Sequence, residues 1–448
     1  MLRGGIALAC RIVGPPDLHG LARDVYYRHL VFALCDAVAG GVLANAPVMA
    51  IKELGARDWQ LAVPMFLSSF GMLLAPWMAE WMAARRKVWF VSGPALGYGV
   101  CAIALGVIGS PVAFLALVGL CNLFEVISRP PLAAVIREAY PVDRRGWAVG
   151  DIRRWCAAVF LAVNLLSAAA LDWAGTDRRA VMTAEVLLAG GFCIIGALVF
   201  RGVRTAPPGP VSEPIDQVGI AGLAAATQIV RSDARFRRYL IGCFLFGFFG
   251  LLYVSFIPAF LAKTMGFGYL TLSILIHVLP SIASVAATGA LGRWFDRTNP
   301  LVGWQLVRFG WGIDPIILIS APLAAAIWAP AGLLVCAFGR LCRGAVMGGS
   351  WVLWWQLGVN YFALPGANTG RYMAILTALN GVMRMTAAAV GAALLTGMTP
   401  ADVLGIGGVG VLLSALHARL QAHSDHRLTG FRTFADTEAA TSAPVRKE

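Results

Sequence analysis

The run VWFVSGPALGYGVCAIALGVIG, residues 88–109, follows directly on Arg85-Arg86-Lys87 and holds no charged residue over 22 positions. As a helix it is long enough to cross ~30 Å of hydrocarbon, which takes roughly 20 apolar residues. Lipid offers the backbone no hydrogen-bond partner, so such a run must satisfy its own N–H and C=O groups by coiling. The alternation that a barrel strand needs is missing. Outward from this run the same reading recurs, and twelve spans are predicted: 29–51, 60–82, 88–109, 111–136, 148–172, 180–201, 239–262, 269–292, 301–323, 328–354, 372–396 and 402–421.

Composition agrees. Of 448 residues, 59% are hydrophobic and 13% charged, against about 25% charged in a soluble domain, so a soluble fold would leave too much apolar surface uncovered. The net charge of +13 does not indicate nucleic acid, because the arginines are dispersed between apolar runs and build no continuous basic face. They follow the bias that keeps Lys and Arg in cytoplasmic loops. Arg85, Arg86 and Lys87 follow span two, Arg137, Arg144, Arg145, Arg153 and Arg154 flank the loop after span four, and Arg293 and Arg297 follow span eight. The intervening loops hold only Lys52, Arg57, Arg178, Arg179 and Lys263. Both termini are therefore expected on the cytoplasmic side of a bacterial inner (cytoplasmic) membrane.

The expected organisation is a cytoplasmic segment 1–28, a six-helix bundle 29–201, a cytoplasmic central loop 202–238 opening on Arg204-Thr-Ala-Pro-Pro-Gly-Pro, a second six-helix bundle 239–421, and a cytoplasmic tail 422–448. Eight of the nine cysteines lie in apolar spans without ligand spacing and read as packing residues. Cys10 has too little apolar sequence before it for a cleaved signal.

Two loops repeat. Pro76-Trp-Met-Ala-Glu80-Trp-Met-Ala-Ala-Arg85-Arg86-Lys87 joins spans two and three, and Gly292-Arg-Trp-Phe-Asp296-Arg297-Thr-Asn-Pro300 joins spans eight and nine. Glu80 and Asp296 are 216 residues apart, and Arg129 and Arg343 are 214 apart. Two features sharing nearly one offset point to a duplicated six-helix unit. With these motifs the chain resembles the major facilitator superfamily, whose loops after the second helix of each half carry a pattern close to G-x-x-x-D-R-x-G-R-K. The second copy fits at Gly292, Asp296 and Arg297. In the first, Pro76, Glu80, Trp81 and Ala83 replace glycine, aspartate, arginine and glycine, while the basic run stays. Arg340-Leu-Cys-Arg343-Gly344, with Gly348, is similar to the family's R-x-x-x-G signature, but stands in span ten and not in span four. The resemblance implies an all-α integral membrane protein, twelve helices in two pseudo-symmetric six-helix bundles, moving a small solute by alternating access. It also implies a gate at Glu80, Arg85, Arg86, Gly292, Asp296 and Arg297.

Ionisable groups inside the spans point to the chemistry, since Asp, Lys or Arg at a helix centre costs roughly 2.5–3.5 kcal/mol on insertion scales. Asp36, Glu125, Arg129 and Asp314 are the candidate proton-coupling residues. Arg340, Arg343, Arg384, Asn380, His277 and Arg308 are the candidate solute contacts. Ser273, His277 and Ser281 recur every four residues, as do Asn380 and Arg384, so each set shares one helix face. Arg308 and Asp314 stand six apart, address different neighbours and do not make a pair. Any of these groups could equally serve an interhelical ion pair that locks the fold. His277 lacks a second His or Cys at ligand spacing, so no metal site and no cofactor are expected.

Guanidinium holds carboxylate or phosphate well, and a carboxyl group in a dry site can carry and release a proton. The expected function is a secondary carrier, proton-coupled, of an anionic or polar organic solute. Its expected partners are the solute, protons and the lipid bilayer, and the expected state is a monomer. A transport-inactive receptor or assembly factor of the same fold is the alternative. A membrane-embedded enzyme ranks behind it, because no nucleophile stands with a base and no paired His and Asp mark a reactive cluster.

Overall fold

The computed structural model describes residues 18–83, 85–204, 227–295, 298, 300–356 and 369–429, and among these every regular element is helical. Eleven helices are long and apolar enough to cross a membrane, and the 21-residue helix Val63–Ala83 makes twelve. In chain order they are α1 (Gly20–Leu43, continued by Ala46–Lys52), α2 (Val63–Ala83), α3 (Lys87–Leu105), α4 (Pro111–Ala139), α5 (Val142–Trp173) and α6 (Arg178–Arg201). They continue as α7 (Ala234–Val254), α8 (Leu279–Phe295), α9 (Pro300–Ile327), α10 (Ala329–Gln356), α11 (Thr369–Leu394) and α12 (Pro400–Thr429). Between α7 and α8 lie two π-helical turns, Phe260–Thr264 and Ile274–Val278, around the short helix Tyr269–Ser273. Such turns are frequent at functional sites.

Apolar runs place the helices, but several run beyond the hydrocarbon. α1 begins at Gly20 and not at 29, because Val25, Tyr26 and Leu30 are buried in one apolar cluster with Val135, Tyr140 and Phe200. Arg23, Asp24 and Arg28, which read as loop residues, ride on the outer face of that first stretch. α7 likewise begins at Ala234, where the Asp233 carboxylate accepts from the backbone N–H of Phe236 at 2.8 Å and caps the helix. α12 continues through residues expected in the tail, to Thr429.

The chain forms two compact units. One comprises 1–225 with 261–273 and 384–396, the other 226–260, 274–383 and 397–448. In the first, α2 packs on α4, α3 on α4 and α6, and α1 on α6; in the second, α8 packs on α10, α9 on α10 and α12, and α7 on α12. Each of these pairings recurs six helices later, as a duplicated bundle requires.

The repeat extends to close backbone crossings. A Cβ on Gly190 of α6 would lie 2.6 Å from the carbonyl oxygen of Gly99 on α3, and one on Gly408 of α12 would lie 3.1 Å from that of Gly312 on α9. Small residues let membrane helices approach backbone to backbone. Gly190→Leu is therefore expected to cost ~1–3 kcal/mol or more through overpacking. At the adjacent Gly191 a Cβ meets open space, and Gly191→Leu should cost little. Thermal unfolding of both variants in detergent checks this, and equal midpoints would show that the crossing tolerates a side chain.

Candidate functional site

The polar groups of the spans gather into separate clusters. In the first unit, Glu125 and Arg129 stand one turn apart on α4 and form an ion pair. The proline pair Pro130-Pro131 follows at once, removing the donors that would meet the carbonyls of Val126 and Ile127 and leaving the backbone beside the pair free to bend. Asp36 on α1, half-buried, lies in the field of Glu125 and Arg129. Arg384, in the stretch 384–396 that packs into this unit, is in turn coupled to Arg129 and Glu125. It reaches Ser68 Oγ of α2 from one terminal nitrogen at 3.4 Å, while its buried Nε finds no partner among the described residues. Two carboxylates and two guanidiniums thus lie in one another's field, with one buried Arg384 nitrogen unpartnered among the described residues.

The second unit holds a different arrangement. Asp314 of α9, fully buried, receives Arg340 Nη1 at 2.7 Å and Arg343 Nη1 at 3.4 Å, both from α10. Arg340 Nε donates to the carbonyl of Leu275 at 3.2 Å. Arg343 Nη1 donates to Tyr253 Oη at 3.0 Å, and that hydroxyl donates to the carbonyl of Trp311 at 2.8 Å. The Arg343 guanidinium also lies 4.1 Å from the centre of the Trp311 indole, a cation–π distance. Both arginines are buried, so this is a closed ionic core linking α7, α9 and α10 with one positive charge in excess.

Arg308 joins neither cluster. It is buried, donates from Nη1 to the carbonyl of Ser414 at 2.7 Å, and lies near the rings of Trp304 and Phe246. His277 sits half-buried on the π-helical turn Ile274–Val278, and Asn380 is half-buried on α11. Of the expected gate, Arg85 and Arg86 are exposed and line a cavity of about 400 Å³ with Trp89 and Phe90. A Cβ on Gly292 would meet nothing within 4 Å, so no neighbour among the described residues demands glycine there. Asp296, Arg297 and the side chain of Glu80 lie outside the described residues.

A third cluster escaped the sequence reading. Lys263 Nζ reaches Asp58 Oδ1 at 2.6 Å and the carbonyl of Ala56 at 3.1 Å, and Lys52 Nζ donates to the carbonyl of Phe267 at 2.7 Å. Tyr269 Oη donates to Glu53 Oε1 at 2.9 Å. The two oxygens of Asp172 accept from the backbone N–H groups of Tyr269 and Leu270 at 2.9 and 2.8 Å, which satisfies two of the donors that open the helix 269–273. Everything here belongs to the first unit. The available signal was the set of carboxylates Glu53, Asp58 and Asp172 in or beside the loops poorest in lysine and arginine.

Residues 29–392 match the Major Facilitator Superfamily. No curated protein matches in sequence. Solved structures that share the fold include a peptide transporter POT in complex with sulfate, at 15% identity and TM-score 0.64 over 90% of this chain and 95% of that one. They also include the nucleoside transporter NupG, at 10% identity and TM-score 0.60 over 92% and 100%. A bacterial homologue of the human lysosomal transporter Spinster, in an inward-facing and occupied conformation, has 14% identity and TM-score 0.58 over 90% and 96%. At such identities the likeness is one of fold.

Proposed function

Because the chain belongs to the major facilitator superfamily, a family of membrane transporters, we propose that it is a secondary carrier that couples a proton to an anionic or polar organic solute. The observation that carries this reading is the charge balance around Arg384. Asp36, Glu125, Arg129 and Arg384 sum to zero, and Arg384 keeps a buried Nε without a partner among the described residues. An anion docking on Arg384 would bring the cluster to −1 inside the membrane, where an uncompensated charge is costly. One proton taken up by Asp36 or Glu125 restores neutrality, so solute and proton are most stable when they load together. By the charge bias of the loops, both termini face the cytoplasm and the cluster around Asp172 lies at the outer end. There it would hold the outer side shut until its bonds break, one of the alternating arrangements a carrier needs.

The test is uptake into vesicles carrying the purified chain, with a panel of carboxylate and phosphate solutes, with and without an inward proton gradient. One proton per solute supports about tenfold accumulation for each pH unit, since 1.4 kcal/mol is a factor of ten. Uptake of no solute in the panel, or uptake indifferent to the gradient, overturns the reading. Orientation is checked by Asp177→Cys in a background without the native cysteines. Asp177 is exposed in the loop before α6, and labelling of that cysteine only from the cytoplasmic face would reverse the topology.

A further inference from the structure

Glu185, on the second turn of α6, is an acidic residue inside a membrane helix that neither charge cluster uses. Its Oε2 accepts from Ser167 Oγ of α5 at 2.7 Å. Ser167 Oγ in turn accepts from Asn45 Nδ2 at 3.2 Å, and the same amide nitrogen donates to the backbone carbonyl of Asn164 at 3.3 Å. The Asn164 side chain donates to the carbonyl of Gly41 at 3.1 Å and accepts from Ser273 Oγ through its Oδ1. The chain of bonds therefore runs from α6 through α5 and the break in α1 to the stretch 261–273, all within one unit. Glu185 is half-buried, whereas Ser167, Asn45, Asn164 and Ser273 are each no more than 5% exposed. The carboxylate is the most accessible end of the relay.

We propose that Glu185 is a second proton-binding site, and that its charge state is passed through Ser167, Asn45 and Asn164 to the grip on Ser273. This extends the proton-coupled reading to the end of the molecule that carries the Asp172 cluster. The direction of the hydrogen bonds supplies the mechanism. An ionised carboxylate can only accept, so it fixes the Ser167 hydrogen toward itself and turns a Ser167 lone pair to Asn45. A bond to a charged acceptor is roughly twice as strong as a neutral one. When a proton from water binds Glu185, that assistance is lost, and one carboxyl oxygen becomes a donor. If it donates to Ser167, that hydroxyl accepts from both Glu185 and Asn45 on its two lone pairs, and its own hydrogen no longer has a charged acceptor to fix it. Protonation thus loosens the joint between α1 and α5 beside Ser273, and release of the proton to water restores it.

Other charges do not intrude on Glu185. Among the titratable and charged groups of the elements packed around it, Asp36 on α1 belongs to the Glu125 and Arg129 cluster, Cys101 on α3 is near Cys121, and Asp172 on α5 caps residues 269 and 270. Arg178, on the same helix as Glu185, donates from Nε to the carbonyl of Leu171. Arg179, also on α6, approaches the loop at Gly109.

The experiment is hydrogen–deuterium exchange of residues 261–273 in the full-length chain in lipid nanodiscs, at acid and neutral pH, corrected for the intrinsic pH dependence of amide exchange. In the wild type this segment should exchange about threefold or more faster at acid pH, the size expected from losing one net hydrogen bond. Glu185→Gln should exchange fast at both pH values, and Ser167→Ala should lose the pH dependence while Glu185 remains. Asp36→Asn should keep the wild-type response. A response kept in Glu185→Gln, or absent from the wild type, overturns the relay. A response lost in Asp36→Asn but kept in Glu185→Gln would move the proton to Asp36, ending this proposal and leaving the coupled-carrier reading standing.

Discussion

Asp314→Asn is expected to be the most destabilising single change in the second unit. It leaves Arg340 and Arg343 facing a neutral amide away from bulk water, since Asp314 is fully buried and both arginines nearly so. Removing one partner of a buried ion pair typically costs ~3–5 kcal/mol, because the remaining charge stays buried. Here two guanidiniums depend on one carboxylate. A fall of at least about 5 °C in the unfolding midpoint should be seen in detergent, together with a lower yield of folded protein. The arginines should rank by geometry. Arg340 lies at 2.7 Å from the carboxylate and also bonds Leu275, whereas Arg343 stands at 3.4 Å and has Tyr253 and the Trp311 ring as further support. Arg340→Gln should therefore cost more than Arg343→Gln, since it leaves the 3.4 Å pair and not the 2.7 Å one. An Asp314→Asn variant as stable as the wild type would show that the two arginines are neutralised in some other way.

What could be read from the sequence divides along physical lines. Hydrocarbon thickness sets the length of an apolar run, so the spans, their number and the six-helix repeat are local properties, and the helices stand where the runs stand. The start of α1 was not local. Gly20 to Arg28 carries three charges, and it is helical because Tyr26 Oη meets Asp151 at 2.6 Å and His29 meets Tyr140 Oη at 3.1 Å, partners more than a hundred residues away. The same limit applies to the site. Insertion cost singles out Asp314 and Arg340 as unusual, but only the crossing of α9 and α10 makes them partners and Arg308 a bystander. Lys52 and Lys263 were read as orientation signals because an isolated lysine in a loop is explained by topology. Their carbonyl and carboxylate partners emerge only when 261–273 packs beside the ends of α1 and α5. Glu185 is a different case, since the rule that picked out Asp36 applies to it equally. It sits on the second turn of its helix, where a charge can be mistaken for part of the loop.

Asp36→Asn should produce the largest change in function. Glu125 is held by Arg129, whereas Asp36 makes no ion pair among the described residues, so Asp36 is the carboxylate freer to exchange its proton. An asparagine there is neutral at every pH and raises the net charge of the cluster from zero to +1. An anionic solute then neutralises the cluster without a proton, so downhill exchange should persist, its pH dependence should flatten, and accumulation against a gradient should collapse. On a one-unit pH gradient, the roughly tenfold accumulation supported by one proton falls to none. Glu125→Gln should act in the same direction but more weakly, since it also frees Arg129 from its partner. Arg384→Ala does the opposite. It takes the cluster to −1 and removes the unpaired guanidinium edge, and a charged hydrogen bond worth about 1.5–3 kcal/mol corresponds to binding weaker by roughly one to two orders of magnitude. Uptake across a range of pH in the two amide variants, with equilibrium binding to Arg384→Ala, separates the roles. If both amide variants accumulate solute as the wild type does, no proton is carried at Asp36 or Glu125. If Arg384→Ala binds the solute normally, the anion is held elsewhere.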